Sequence, residues 1–381
     1  MKTSQVVSIK PYFANLQDPR KNRRRVHLLM DIVVIAICGV VADCDNWQEI
    51  ELFAHKRQDW LRRFLALPHG IPSHDTFERV FDRLNPRTFA ACFREWVCAL
   101  SAAVKLPHIA IDGKTLRRSF DRSKNLGPLH LVSAWATEQK LSLGQVAVDV
   151  KSNEITAIPQ LLELLDVHGA LVTIDAMGCQ KEIAQKIVSG GGDYVLTVKG
   201  NQERLLADIQ QVVGEALDNA LPEGIVDDFE VEQREHGRTE KRRYVVVHQT
   251  EGIRDRQLWP NLTTVGMCYS EREIDGKTTV EGRYFIGSRK LTAKQYAEVL
   301  RDHWGIENSL HWQLDVSFDE DGSRIRRRNG AENFAILRRM AVSLLKQHPS
   351  KRSIACKRKE AILDTAFLEE ILAGADKLGN G

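Results

Sequence analysis

A chain of 381 residues, 43% hydrophobic and 28% charged, has the apolar content for a real core and the length for two or three modules. A formal net charge of +3 gives no global basic signature, and seven cysteines without a Cys-x-x-Cys pair argue against a disulfide framework or a structural zinc site. The longest apolar run, Ile32 to Ala42, falls short of the roughly 20 residues that span a bilayer, and the N-terminus lacks a signal-peptide layout, so a cytoplasmic protein with no membrane association is expected.

Residues 1–100 read as a helical domain. Ile32 to Ala42 forms a buried helix, Trp47, Ile50, Phe53 and Ala54 recur at helical spacing, and Ser73 starts a helix carrying Phe77, Val80 and Phe81. This pair is compatible with a helix-turn-helix or with a small packed cap. From residue 105 the period changes. His108 to Asp112, Leu129 to Thr137 and Leu143 to Val150 read as strands, followed by helix 155–167, strand 171–174, a helix near 182–188 and strand 194–198. The order β-β-β-α-β-α-β-α belongs to an α/β fold, a mixed sheet with helices on its faces. Strand-like runs at Tyr244 to His248, Thr263 to Tyr269 and Arg283 to Ile286 mark a β-rich insertion at about 225–290. Thr292 and Gln295 then form a capping box at a helix start. Residues 346–381 read as a basic helical tail.

Charge is clustered although its sum is small. Lys21 with Arg23, Arg24 and Arg25, Lys241 to Arg243, Arg324 with Arg326, Arg327 and Arg328, and Lys351 to Lys359 are four basic runs, which together point to a polyanionic partner.

Three acids carry the chemistry. Asp112 ends the apolar strand Ile109-Ala110-Ile111, and Asp175 ends Leu171 to Ile174; small residues follow each. An acid so placed faces a crevice, although either could instead cap a turn. Glu307 lies seven residues after Leu300 and seven before Leu314, on the apolar stripe of the helix that starts at Thr292, with Trp304, so it is expected to face the sheet rather than water. A carboxylate there needs a metal, a cation or a proton. Three convergent carboxylates suit Mg²⁺ or Mn²⁺, and two ions about 4 Å apart serve phosphodiester displacement. Asp149, Asp315, Asp319, Glu320 and Asp321 are rival acids, Asp315 the foremost.

With these residues assembled, the chain resembles the ISAs1 family of insertion-sequence transposases, the H-repeat-associated type. The resemblance rests on Ile71 to Phe77, Ala110-Ile111-Asp112-Gly113-Lys114, Ile174-Asp175-Ala176, Val198 to Gln202 and His303 to Trp312. It implies an RNase H-like core with Asp112, Asp175 and Glu307 as a DDE triad on two Mg²⁺ or Mn²⁺ ions. Double-stranded DNA, as element ends and target, would be the partner, with a homodimer on paired ends and nucleoid association when bound. The catalytic domain would span 101–345. Related transposases carry Tyr, Arg, Glu and Lys around the Glu; here Leu300, His303, Glu307 and Leu314 stand there, so only the Glu is kept. Lys114, Lys199, Asn201, Gln202, His303, Arg324, Arg326, Arg327 and Arg328 are the candidate DNA contacts. A non-catalytic DNA-binding remnant, or a nuclease without strand transfer, stays open.

Overall fold

The computed structural model describes residues 9–21, 25–101, 108–120, 127–148, 153–218, 224–235, 238–274 and 276–373. Its strands in chain order are β1 (His108–Thr115), β2 (His130–Ala136), β3 (Leu141–Ala147), β4 (Leu171–Ile174), β5 (Asp193–Val198), β6 (Val226–Glu235), β7 (Arg238–Val247), β8 (Thr264–Ile274) and β9 (Lys277–Gly287). The chain divides into two units: Met1–Lys105 with Gly113–Lys151 and Glu307–Gly381, and Leu106–Asp112 with Ser152–Ile306.

In the second unit β1 runs parallel to β4, and β4 parallel to β5. All four residues of β4 are buried, the near-continuous apolar pattern of a strand covered on both faces. Beyond β5 the partners turn antiparallel, in the order β9, β8, β7, β6. The helix Ala293–His303 starts at the expected Thr292–Gln295 capping box and lays Tyr296 against Phe285, ring centroids 5.0 Å apart. Its core neighbours are Val195, Tyr244 and Val246.

In the other unit the order is β3-β2-β1, with β2 and β3 antiparallel. The helix Gly330–Gln347 is buried along most of its length. Beside it, the apolar run becomes the buried helix Leu29–Val41. Trp47 stacks on Phe81 at 4.8 Å and meets Phe334 edge-on at 4.7 Å, joining the N-terminal helices to that long helix. Three strands ordered β3-β2-β1, then parallel β4 and β5 with helices on the faces, make the expected RNase H-like mixed sheet.

Some sequence expectations shift. β6 escaped the strand pattern because acidic residues fill it, and its neighbours reach further than their apolar stretches. Arg243 answers Asp228 across β7 and β6, Lys241 lies 3.7 Å from Glu232 and Arg242 2.9 Å from Glu240, so the second basic run is balanced locally. In the fourth run Arg358 is fully buried, 2.8 Å from Asp45 and 3.2 Å from Asp43, while buried Lys357 donates to the carbonyls of Leu345 and His348. Those cations belong to the core. Arg23, Arg24, Asp149 and the last residues of the tail lie outside the described residues.

Candidate active site

β1 and β4 place the first two acids. Ile111 is the register partner of Ile174 on the parallel neighbour, the last pair of that ladder, so Asp112 and Asp175 each follow it by one residue. Asp175 lies just past β4, but Asp112 does not end its strand as expected: β1 continues to Thr115. Neighbouring strands lie about 4.8 Å apart. Both acids are half-buried.

Asp175 also caps a turn. Its Oδ1 accepts from the backbone N–H of Met177 at 3.0 Å and of Gly178 at 3.4 Å, at the head of the short 3-10 turn Ala176–Gly178. The capping alternative is therefore real, and among the described residues these two bonds use only one of the Asp175 oxygens. Burial, and then the negative charge of Glu154, push the Asp175 carboxyl above its usual range, against the two N–H donors and Lys199. Glu154 is an acid that the sequence reading missed. Its signal was its place just after Asn153, whose side chain caps the helix Glu154–Glu163.

Two expected DNA contacts turn out to brace this turn. Asn201 Nδ2 donates to the Ala176 carbonyl at 2.7 Å, and Gln202 Nε2 donates to the Cys179 carbonyl at 2.9 Å. Lys199, just before them, is exposed. Spacing alone could not reveal the bracing, because the turn lies more than twenty residues upstream.

His303 is half-buried, and its Nδ1 sits 2.9 Å from Thr173 Oγ1. Burial pushes its imidazole down to about 4, so it is neutral at pH 7 and brings no charge to a phosphate. Lys114 is also committed: in its own unit it is buried and donates to Asp315 at 2.6 Å, with Asp321 at 3.6 Å. Asp315, the foremost rival acid, is thus an ion-pair partner. Glu320 is likewise engaged, fully buried against Arg339 at 3.0 Å.

Glu307 is exposed, which corrects the buried-stripe reading. That reading assumed one continuous α-helix. The helix ends at His303, Trp304 forms a turn, and Glu307–His311 is a π-helical turn ahead of the helix Trp312–Val316. A π turn holds more residues than an α turn, so the stripe loses phase. Trp304 and Trp312, expected in the core, are exposed as well, with the Arg283 guanidinium 4.4 Å above the Trp304 ring.

Of the third basic run, Arg324 and Arg328 are exposed, and Arg326 donates to the Arg118 carbonyl at 2.8 Å and covers the Phe120 ring. Arg327 and Arg328 line a cleft of about 320 Å³ with Arg79, Arg83 and Asp82. Asp82 is buried, Arg327 lies 3.5 Å from one of its oxygens, and the other has no hydrogen-bond partner among the described residues. Burial, and then Glu78, push its carboxyl up to about 6 from 3.8, against Arg327, Arg328 and Arg83. The folded state then holds this proton more tightly than the unfolded chain, so stability falls as pH rises through that window. Asp82→Asn should remove this slope, leaving the variant more stable than wild type by on the order of 1–3 kcal/mol at neutral pH but not in acid. Urea unfolding at both ends of the window checks it; parallel pH profiles would refute it.

The matching families follow this layout. Residues 104–344 match the Transposase DDE domain, and residues 10–97 match the DDE_Tnp_1-associated region that accompanies it. The chain belongs to the DDE transposase family. Its relatives include YncI of Escherichia coli O157:H7, 40% identical over 98% of this chain and 96% of that one. The H repeat-associated YhhI of Escherichia coli K12 is 39% identical over 94% and 96%. Both are provisionally named transposases. A solved piggyBac transposase synaptic complex with hairpin DNA aligns at TM-score 0.42 and 12% identity over 99% of this chain and 85% of that one, too remote to bear on the site.

This DDE transposase therefore belongs to a family of enzymes that bind DNA and generally work with divalent metal ions. The carboxylates of Asp112 and Asp175 fit such an ion: they are hard oxygen donors, and burial and Glu154 disfavour the charged Asp175 carboxylate, a cost that a bound cation would offset. Among the described residues no three His, Cys, Asp or Glu side chains are already grouped to hold a metal. Nor is any helix among them long and apolar enough to cross a membrane.

Proposed function

We propose that Asp112, Asp175 and Glu307 are the metal-holding acids of an insertion-sequence transposase of the ISAs1 type, which cuts an element's ends and joins them to target DNA. The observation that carries this is the Ile111–Ile174 register, which sets Asp112 beside Asp175. Glu307 joins them by its place in the segment His303 to Trp312 that carries the resemblance. Bound Mg²⁺ or Mn²⁺, two ions in this reading, would activate the attacking oxygen and stabilise the leaving one.

The chain's own residues do the rest. Met177 and Gly178 N–H groups hold one Asp175 oxygen in place, and Asn201 and Gln202 keep that turn from shifting. Exposed Lys199, Arg324 and Arg328 are the phosphate contacts in this reading, and residues 1–100 help grip the ends. Water attacks phosphorus at the element's end and frees a 3′ hydroxyl, which then attacks the target phosphodiester. Two chains would pair the two ends, at the nucleoid.

Purified protein, a duplex taken from the DNA flanking the coding region and supercoiled target should give Mn²⁺- or Mg²⁺-dependent nicks and joined products. Nicking without joined molecules would leave a nuclease, and metal-independent binding without cleavage would leave a DNA-binding remnant.

A further inference from the structure

Glu307 stands between two anchored points. Four residues before it, His303 meets Thr173 Oγ1 at 2.9 Å, and the same hydroxyl lies 2.8 Å from His108 Nε2. A hydroxyl between two neutral imidazoles donates to one ring and accepts from the other, so three side chains lock together. Thr173 lies on β4 two residues before Asp175, and His108 opens β1 on the side-chain alternation that includes Asp112. Eight residues after Glu307, in the other unit, Asp315 accepts from Lys114, two residues beyond Asp112. Asp321, 3.6 Å from Lys114 and 3.2 Å from Arg117, supports the same ammonium.

We propose that these are two struts: His303–Thr173–His108 and Lys114–Asp315 tie the flanks of Glu307 to the strands that carry Asp175 and Asp112. His303, Thr173 and Lys114 are on this account positioning residues. Glu307 needs such help because it is exposed and opens an irregular π turn, so little in its immediate surroundings restrains its carboxylate. A misplacement of about 1 Å at a reacting centre costs on the order of 100-fold. Neither strut is well suited to holding DNA. Lys114 is 8% exposed and already faces two carboxylates, and burial holds His303 and His108 neutral, at about 4 and about 3. Nor is the Lys114–Asp315 pair a large source of stability, since Asp315 remains 35% exposed.

The inference rests on the triad reading, so Glu307→Gln runs beside the strut variants in the full chain. The probes are Mn²⁺ alone, by calorimetry, and a duplex from the flanking DNA, for affinity and single-turnover cleavage. Lys114→Met, Asp315→Asn and His303→Leu should each weaken Mn²⁺ binding and slow cleavage by about 10–100-fold, as loss of a ligand-orienting neighbour does. Duplex affinity should be unchanged. Lys114→Arg and His303→Asn, which keep a polar atom near the lost one, should recover most of both. If Lys114→Met does not fold, Asp315→Asn decides, since its side chain is partly in solvent. Wild-type Mn²⁺ binding in the strut variants, with loss in Glu307→Gln, overturns the struts alone. Duplex affinity falling in step with cleavage also overturns them, in favour of a DNA contact. Cleavage surviving in Glu307→Gln overturns the triad beneath them.

Discussion

Asp112→Asn and Asp175→Asn should each lower strand cleavage by about 1,000-fold or more, equivalent to about 4 kcal/mol of barrier, while duplex binding stays intact. Asparagine keeps the size of the side chain and an oxygen acceptor, so the caps to Met177 and Gly178 can persist at position 175. What it loses is the charge that holds a metal. Stability should move the other way. In the folded protein burial and Glu154 already disfavour the Asp175 carboxylate, so a neutral amide relieves that penalty. The metal-free Asp175→Asn protein should therefore unfold at or above the wild-type temperature. Added Mn²⁺ should stabilise wild type and leave the variant unmoved. A folded variant that still cleaves at the wild-type rate would remove Asp175 from the chemistry.

Glu320→Gln should cost about 3–5 kcal/mol of stability, the usual result of removing one partner from a buried ion pair. Glu320 and Arg339 are both completely buried, 3.0 Å apart, and Arg339 is further held by Ser133 Oγ and the Ala335 carbonyl. Arg338, next in sequence, is also buried, with its guanidinium 4.4 Å above the Phe334 ring. Burial pulls the Arg338 pKa down, and Glu320 and Asp45 are the charges that oppose that pull. Without Glu320, two guanidiniums in the helix Gly330–Gln347 lose an anion that water cannot replace. Urea unfolding of the full chain gives the measure, and a loss under about 1 kcal/mol would mean that solvent reaches the pair. Replacing Glu320, Arg338 and Arg339 together by apolar residues of similar volume should recover much of the loss, because the desolvation cost disappears with the charges.

The strands around the site were legible because their signal is local. Leu171 to Ile174 is a short apolar run closed by an acid, and Ile109 to Ile111 opens β1 in the same way, although that strand runs on past Asp112 to Thr115; each apolar run needs only its own residues to be recognised. The capping box at Thr292 is equally local, since both partners sit within one turn. β6 was not legible, because only Phe229 and Val231 among its acidic and polar residues face the core, too few to announce an apolar face. Asn201 and Gln202 have a bracing role that their sequence did not announce. Their amides bond a turn that follows another strand, and nothing in Gly200-Asn201-Gln202 says which backbone they will meet.

By itself the sequence determined the order of elements, the two acids that follow short apolar strand runs, and membership of the transposase family. Each of these is written in residues close together or in matched segments along the chain. Only the tertiary structure decided how each charge is used. Glu307 is exposed because the helix that should have buried it breaks at Trp304 and passes into a π turn, where the seven-residue spacing no longer marks one face. Arg358 is buried because Asp43 and Asp45 meet it from more than three hundred residues away, and Lys114 is occupied because Asp315 does the same across two hundred. A charged side chain is long and its partner is chosen by packing, so its neighbours in sequence do not reveal whether it will face water, a phosphate or the core.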